Sequence, residues 1–196
     1  MGERSTMSER EKRIARDPTI TLPRAIQEHG YYDINGNWNP LIQLRKYPNQ
    51  IFRHRVEVLI FDDKNNIFVL PYAQNNYRLP GGGVAKGKSK KYQVAAEARE
   101  EARIILGNII PTNVTYVKTF SNIYDNFNLH WDGTFTVVYA AEFKHWYSGN
   151  INKSVRDDEM CKRGKFIPYH VAMKMFSVYH KKAAKVWIRD KCRGGV

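Results

Sequence analysis

Gly81-Gly82-Gly83-Val84-Ala85-Lys86-Gly87-Lys88-Ser89 runs directly into Lys90-Lys91-Tyr92-Gln93-Val94-Ala95-Ala96-Glu97-Ala98-Arg99-Glu100-Glu101-Ala102. The three glycines give the backbone unusual freedom, so the first part reads as a loop. Ser89 is a natural N-cap for the helix that follows, which is expected to run to about Leu106 and stop at Gly107. At about 100° per residue, with Glu97 at 0°, Glu100 falls at about 300° and Glu101 at about 40°. The three carboxylates share one arc. Val94, Ala98, Ala102 and Ile105 form an apolar stripe beside it, and Arg99 and Arg103 fall on the solvent side. Like charges three or four positions apart cost a helix roughly 0.2–0.5 kcal/mol each. Beside an apolar stripe the arrangement makes most sense if a hard divalent cation is shared.

Working outward, His54–Phe61 and Ile67–Leu70 read as strands joined by the turn at Asp62–Asn66, and so are antiparallel. Val114–Phe120, Thr134–Phe143 and Lys165–Ile167 read as further strands. Pro168 opens a last helix from Tyr169 to about Lys191. Upstream, Asn35-Gly36 is a turn dipeptide that would join Tyr31–Ile34 to Asn37–Leu41 as a short hairpin. Residues 1–24 are polar and charged, an arm rather than a core element. Strands and helices mixed in this order indicate one α/β or α+β domain.

This central segment resembles the signature of the Nudix (MutT-like) hydrolases, G-x5-E-x7-R-E-U-x-E-E-x-G-U, where U is a bulky aliphatic residue. Set at Gly82, the pattern is matched by Glu97, Glu100, Glu101 and Ile104, and Arg78-Leu79-Pro80-Gly81 resembles the usual entry to the loop. Four positions depart from it. Lys88 stands for the first Glu, Ala96 for the Arg, Ala98 for the aliphatic residue and Arg103 for the late Gly.

The resemblance implies an α/β/α sandwich with a mixed sheet over residues 51–196, preceded by an N-terminal arm over residues 1–50. It implies Mg2+ or Mn2+ held by Glu97, Glu100, Glu101 and the carbonyl of Gly82. The activity implied is hydrolysis of a diphosphate linkage in a nucleoside diphosphate derivative. The base would be Glu101 or Glu100, or a Glu from the loop before a late strand, here Glu159. The missing arginine normally helps to hold a carboxylate, and Arg103 is offered as its substitute.

Further substrate contacts are expected from side chains near the loop. Lys86 and Lys88, with Arg78, are candidates for the phosphates. Tyr124 and Phe127 lie in an aromatic loop where a ring can stack on a base. For each, an ordinary solvated or packed side chain stays open as the alternative.

The chain carries 32 Lys and Arg against 19 Asp and Glu, a net charge of +13. Residues 151–196 hold 12 of those basic side chains and 4 of the acidic ones. Such a field attracts anions without choosing among them. A non-catalytic Nudix-like domain that binds RNA or another polyanion is therefore the alternative reading, and an RNA end as substrate would join the two. The three retained carboxylates favour the enzyme. There is no apolar run of membrane-spanning length and no apolar signal core, and Cys161 and Cys192 make neither a disulfide framework nor a zinc site. The chain thus reads as a cytoplasmic protein with reduced thiols. A homodimer through residues 1–50 is left open.

Overall fold

The computed structural model describes residues 31–32, 38–39, 52–72, 76–85, 87–119, 133–150 and 164–193. Its elements are β1 (Tyr31–Tyr32), β2 (Trp38–Asn39), β3 (Phe52–Phe61), β4 (Ile67–Tyr72), β5 (Asn76–Arg78), β6 (Gly81–Gly83), α1 (Lys90–Ala102), β7 (Ile104–Thr119), β8 (Gly133–Trp146), β9 (Lys165–Ile167), α2 (Tyr169–Met175) and α3 (Val178–Arg193).

The strands form a mixed sheet in the order β2-β1-β7-β8-β3-β4-β5, with β6 added to β3 and β9 to β4. The β3–β8 pair is parallel, in register from Phe52↔Gly133 to Phe61↔Glu142, whereas β7–β8 and β3–β4 are antiparallel. The expected upstream hairpin is present as the antiparallel pair β1–β2. It belongs to the main sheet, through the parallel pairing of Tyr32 with Tyr116.

The second half of β3, Val58 to Phe61, is apolar on both sides because the sheet is covered on both faces. Val56, Val58 and Ile60 pack with Val94, Ala98 and Ala102 of α1. Leu59 and Phe61 pack with Ala183, Ala184 and Trp187 of α3 on the opposite side. The fold is therefore the α/β/α sandwich that the resemblance implied. The tight β3–β4 connection is built on Asp62, which accepts from the backbone N–H groups of Lys64 and Asn66 at 3.0 and 2.7 Å.

Four expectations need correction. The Gly81–Gly83 stretch is a short strand paired antiparallel with Arg55–Glu57, not a loop. Helix α1 ends at Ala102 because Arg103 takes the left-handed conformation, φ 57°, and its N–H closes on the carbonyl of Ala98. Arg103 stands where the signature has its late Gly, and a left-handed residue at a helix end is most often a glycine.

The next strand therefore starts at Ile104, ten residues before Val114, and Ile105 belongs to it and not to the helix. Pro111 is accommodated in β7 by a bulge between Pro111 and Val114. There the buried Thr112 hydroxyl donates to the Val138 carbonyl at 2.6 Å. Finally, the last helix is two helices. Phe176 is extended, ψ 147°, and α3 begins afresh after Ser177.

Candidate active site

The site is assembled where α1 runs beside β6. Ser89 caps the helix as expected, its Oγ accepting from the Tyr92 N–H at 3.1 Å. One and two turns further on, Gln93 and Glu97 share a face, and Gln93 Nε2 donates to Glu97 Oε1 at 2.8 Å. The Glu97 carboxylate lies directly against the Cα of Gly82, so closely that a Cβ there would collide with all three carboxylate atoms. The signature's leading glycine is thus explained sterically: any side chain would displace Glu97.

Glu101, one turn on, reaches the neighbouring residue of the same strand. Its Oε2 accepts from the Gly81 N–H at 2.9 Å, and its Oε1 lies 3.2 Å from a guanidinium nitrogen of Arg78. Arg78, expected among the phosphate-binding cations, is placed beside this carboxylate. Arg55 of β3 completes the setting by donating to the Gly81 carbonyl at 3.3 Å.

The electrostatics follow from this crowding. Burial pushes the Glu97 carboxyl above its ordinary range, and the charges of Glu101 and Glu100 push it further. The Gln93 hydrogen bond and the charge of Arg55 act against them without prevailing. A cation beside Glu97 would reverse this cost. The donors on hand are carboxylate oxygens and backbone carbonyls, which suit Mg2+ or Mn2+ rather than a soft metal. Among the described residues no three His, Cys, Asp or Glu side chains converge on one point. The three carboxylates are spaced along one face of the helix.

The basic residues take several positions. Lys88 is exposed and its ammonium sits 4.7 Å from the centre of the Tyr92 ring at the start of α1. Lys90 is partly buried, and that burial lowers its pKa. Arg99 and Arg103 do not face open solvent. Arg99 lies 5.9 Å from the centre of the Tyr147 ring, and Arg103 donates to the Gly149 carbonyl at 3.0 Å. Arg103 is thus directed to the segment after β8, and the cation seen on Glu101 comes from β5. Lys86, Tyr124, Phe127, Glu159 and Cys161 lie outside the described residues. On α3, Lys182, Lys185 and Arg189 are exposed, while Lys191 pairs with Glu142 at 2.8 Å.

Sequence reading did not single out Arg55 or Glu57. The signal was available: Arg55 and Glu57 are charged residues at alternate positions of β3 and so share one face.

No protein-family model and no curated protein matches the sequence. Among solved structures, the chain is similar to a Nudix hydrolase from Nitrosomonas europaea, with a TM-score of 0.50 and 11% identity over 71% of this chain and 90% of that one. The NUDIX domain of Shewanella oneidensis NrtR, solved with ADP ribose, gives a TM-score of 0.49 and 14% identity over 79% of this chain and 99% of its own. The dihydroneopterin triphosphate pyrophosphohydrolase of E. coli gives 0.49 and 14%, over 68% and 93%. The chain has the Nudix fold. It keeps the glycine strand and the acidic helix face in the places where its own sequence resembles the signature.

Proposed function

We propose that this protein is a Mg2+- or Mn2+-dependent hydrolase of a diphosphate linkage in a nucleoside diphosphate derivative. The observation that carries the reading is the seating of Glu97 and Glu101 against the backbone of Gly82 and Gly81, on the polar arc of α1. Glu97, Glu100, Glu101 and the Gly82 carbonyl would hold the cation. When bound, such an ion neutralises phosphate charge and lowers the pKa of an attacking water.

The chain's own residues do the rest. Glu101, fixed by the Gly81 N–H and Arg78, and Glu100 beside it are the described candidates to accept the proton of that water. Glu159 is the candidate from the segment before β9. Lys88 and Lys86 precede α1, whose N-terminal amides also favour phosphate. Tyr124 and Phe127 are candidates to stack on the base.

The test is turnover of a panel of nucleoside diphosphate derivatives with Mg2+ or Mn2+, comparing the unaltered chain with Glu97→Gln and Glu101→Gln. Each variant should lose about 10²–10⁴-fold in kcat, the range for removing a positioned acid or base. No turnover of any substrate, or turnover indifferent to both substitutions, overturns the reading. Binding of RNA by an inactive chain would replace it with the polyanion-binding alternative.

A further inference from the structure

Three carboxylates on one arc of α1 repel one another, yet Glu101 holds a defined position with its side chain only 13% exposed. The described partners of Glu101 lie off the helix. Ala96 is buried, Arg99 lies over Tyr147 and Arg103 donates to Gly149. The cation comes instead from β5. Strand β5 is set against β4, with Arg78 opposite Leu70, and this carries the guanidinium to 3.2 Å from Glu101 Oε1. The second carboxylate oxygen is taken by the Gly81 N–H, three residues beyond Arg78 in the chain. The segment 78–81 therefore grips Glu101 at both oxygens, from one side, with one charged and one neutral donor.

We infer that Arg78 is a positioning residue: it orients the Glu101 carboxylate against Gly81 and offsets its repulsion from Glu97 and Glu100, and it is not a substrate contact. The inference deepens the proposed function and rests on it for the meaning of Glu101 in turnover. A charged donor to a carboxylate forms a stronger and more directional bond than a neutral one. Removing Arg78 takes away the charged one of the two donors described at Glu101, beside two like charges on the same arc.

The experiment compares Arg78→Ala and Arg78→Lys with the unaltered chain in three measurements. These are the backbone amide resonance of Gly81 in a metal-free sample, Mn2+ affinity by electron paramagnetic resonance, and KM and kcat separately. Arg78→Ala should shift the Gly81 amide and weaken Mn2+ binding. It should lower kcat by about 10–100-fold, the usual effect of losing a group that orients a metal ligand, with KM nearly unchanged. Arg78→Lys should restore most of each. A Gly81 resonance and Mn2+ affinity unchanged in a folded Arg78→Ala variant overturn the inference, as does a rise in KM alone. If Arg78→Ala does not fold, Arg78→Lys decides: a Gly81 resonance near that of the unaltered chain supports the inference, and one displaced with no loss of fold overturns it. A chain without turnover on any substrate would defeat the proposed function, and the Gly81 amide would still report on Arg78.

Discussion

His180 Nε2 lies 2.9 Å from Glu57 Oε2, joining α3 to the strand that carries β6. The other oxygen of Glu57 accepts from the Tyr116 hydroxyl at 2.8 Å, and Ser177 Oγ stands 3.1 Å from His180 Nδ1. A glutamate is thus held between two layers of the sandwich. Its Cα and Cγ abut Gly81, the residue whose N–H binds Glu101. The two faces of the sheet meet at that glycine.

Acid stability should depend on this glutamate. Burial alone raises the Glu57 carboxyl. The hydrogen bond and charge of His180, the Tyr116 hydroxyl and the charge of Arg55 together outweigh it, so the pKa lies below its ordinary value of 4.5. A carboxyl lowered on folding adds stability above its unfolded pKa and loses it as pH falls through the folded one. Urea midpoints measured from pH 7 downward should therefore fall more steeply for the unaltered chain than for Glu57→Gln; parallel curves would contradict this. At neutral pH, His180→Ala should cost about 3 kcal/mol, since it leaves a buried carboxylate short of its partner.

Gly82→Ala should separate activity from stability. The new methyl collides with a side-chain carboxylate, which can swing away, so the stability cost should be about 1–3 kcal/mol. The swing moves Glu97, and kcat should drop at least tenfold on the reading proposed above. Gly81→Ala meets the backbone carbonyl of Val56 as well, and should be the more damaging to the melting temperature. Equal melting temperatures for the two variants would argue against the packing described.

Trp187 and Phe61 stack with ring centres 5.0 Å apart and planes 11° from parallel, both fully buried. Trp187→Ala should destabilise by about 3–5 kcal/mol in urea titrations, the range for deleting a large aromatic from a packed core. A loss under about 1 kcal/mol would mean that α3 is not held against the sheet through this pair.

Arg103 offers a backbone test. A non-glycine residue at φ 57° costs about 1–2 kcal/mol, while its hydrogen bond to Gly149 returns about 1 kcal/mol. Arg103→Gly should therefore change stability by less than about 1 kcal/mol. Arg103→Val, β-branched at a positive φ, should lose more than about 2 kcal/mol. Denaturant midpoints that fail to separate the two would overturn the account of the helix end.

What could be read from the chain was what local period and short-range chemistry determine. Glu97, Glu100 and Glu101 fall on one arc because 3.6 residues make a turn, and Ser89 caps because its hydroxyl reaches three residues ahead. The glycine segment was misread as a loop because its strand character comes from pairing with Arg55–Glu57, more than twenty residues away. The break at Phe176–Ser177 was invisible for a similar reason: the helical pattern continues through it, and Phe176 turns inward to the core. The contacts that orient the site are the least legible. Arg78 with Glu101 and Glu57 with His180 are joined by the sheet and not by spacing. The helix stop was misplaced because a glycine was sought where an arginine bears the left-handed conformation.

The parallel pairing of β3 with β8 has a kinetic consequence. Val58 lies beside Tyr139, so a stretch of about 80 residues must be looped out before the two central strands can meet. Neighbouring pairs such as β7–β8 and β3–β4 are closer in sequence and can form earlier. The β3–β6 pairing joins residues far closer in the chain, Glu57 with Gly81, so the bed on which Gly81 and Gly82 rest can form before the parallel pair closes. Both β3 and β6 precede α1 in the chain, so the acidic helix can meet its strand early, and closing the parallel pair, not building the site, sets the pace of folding.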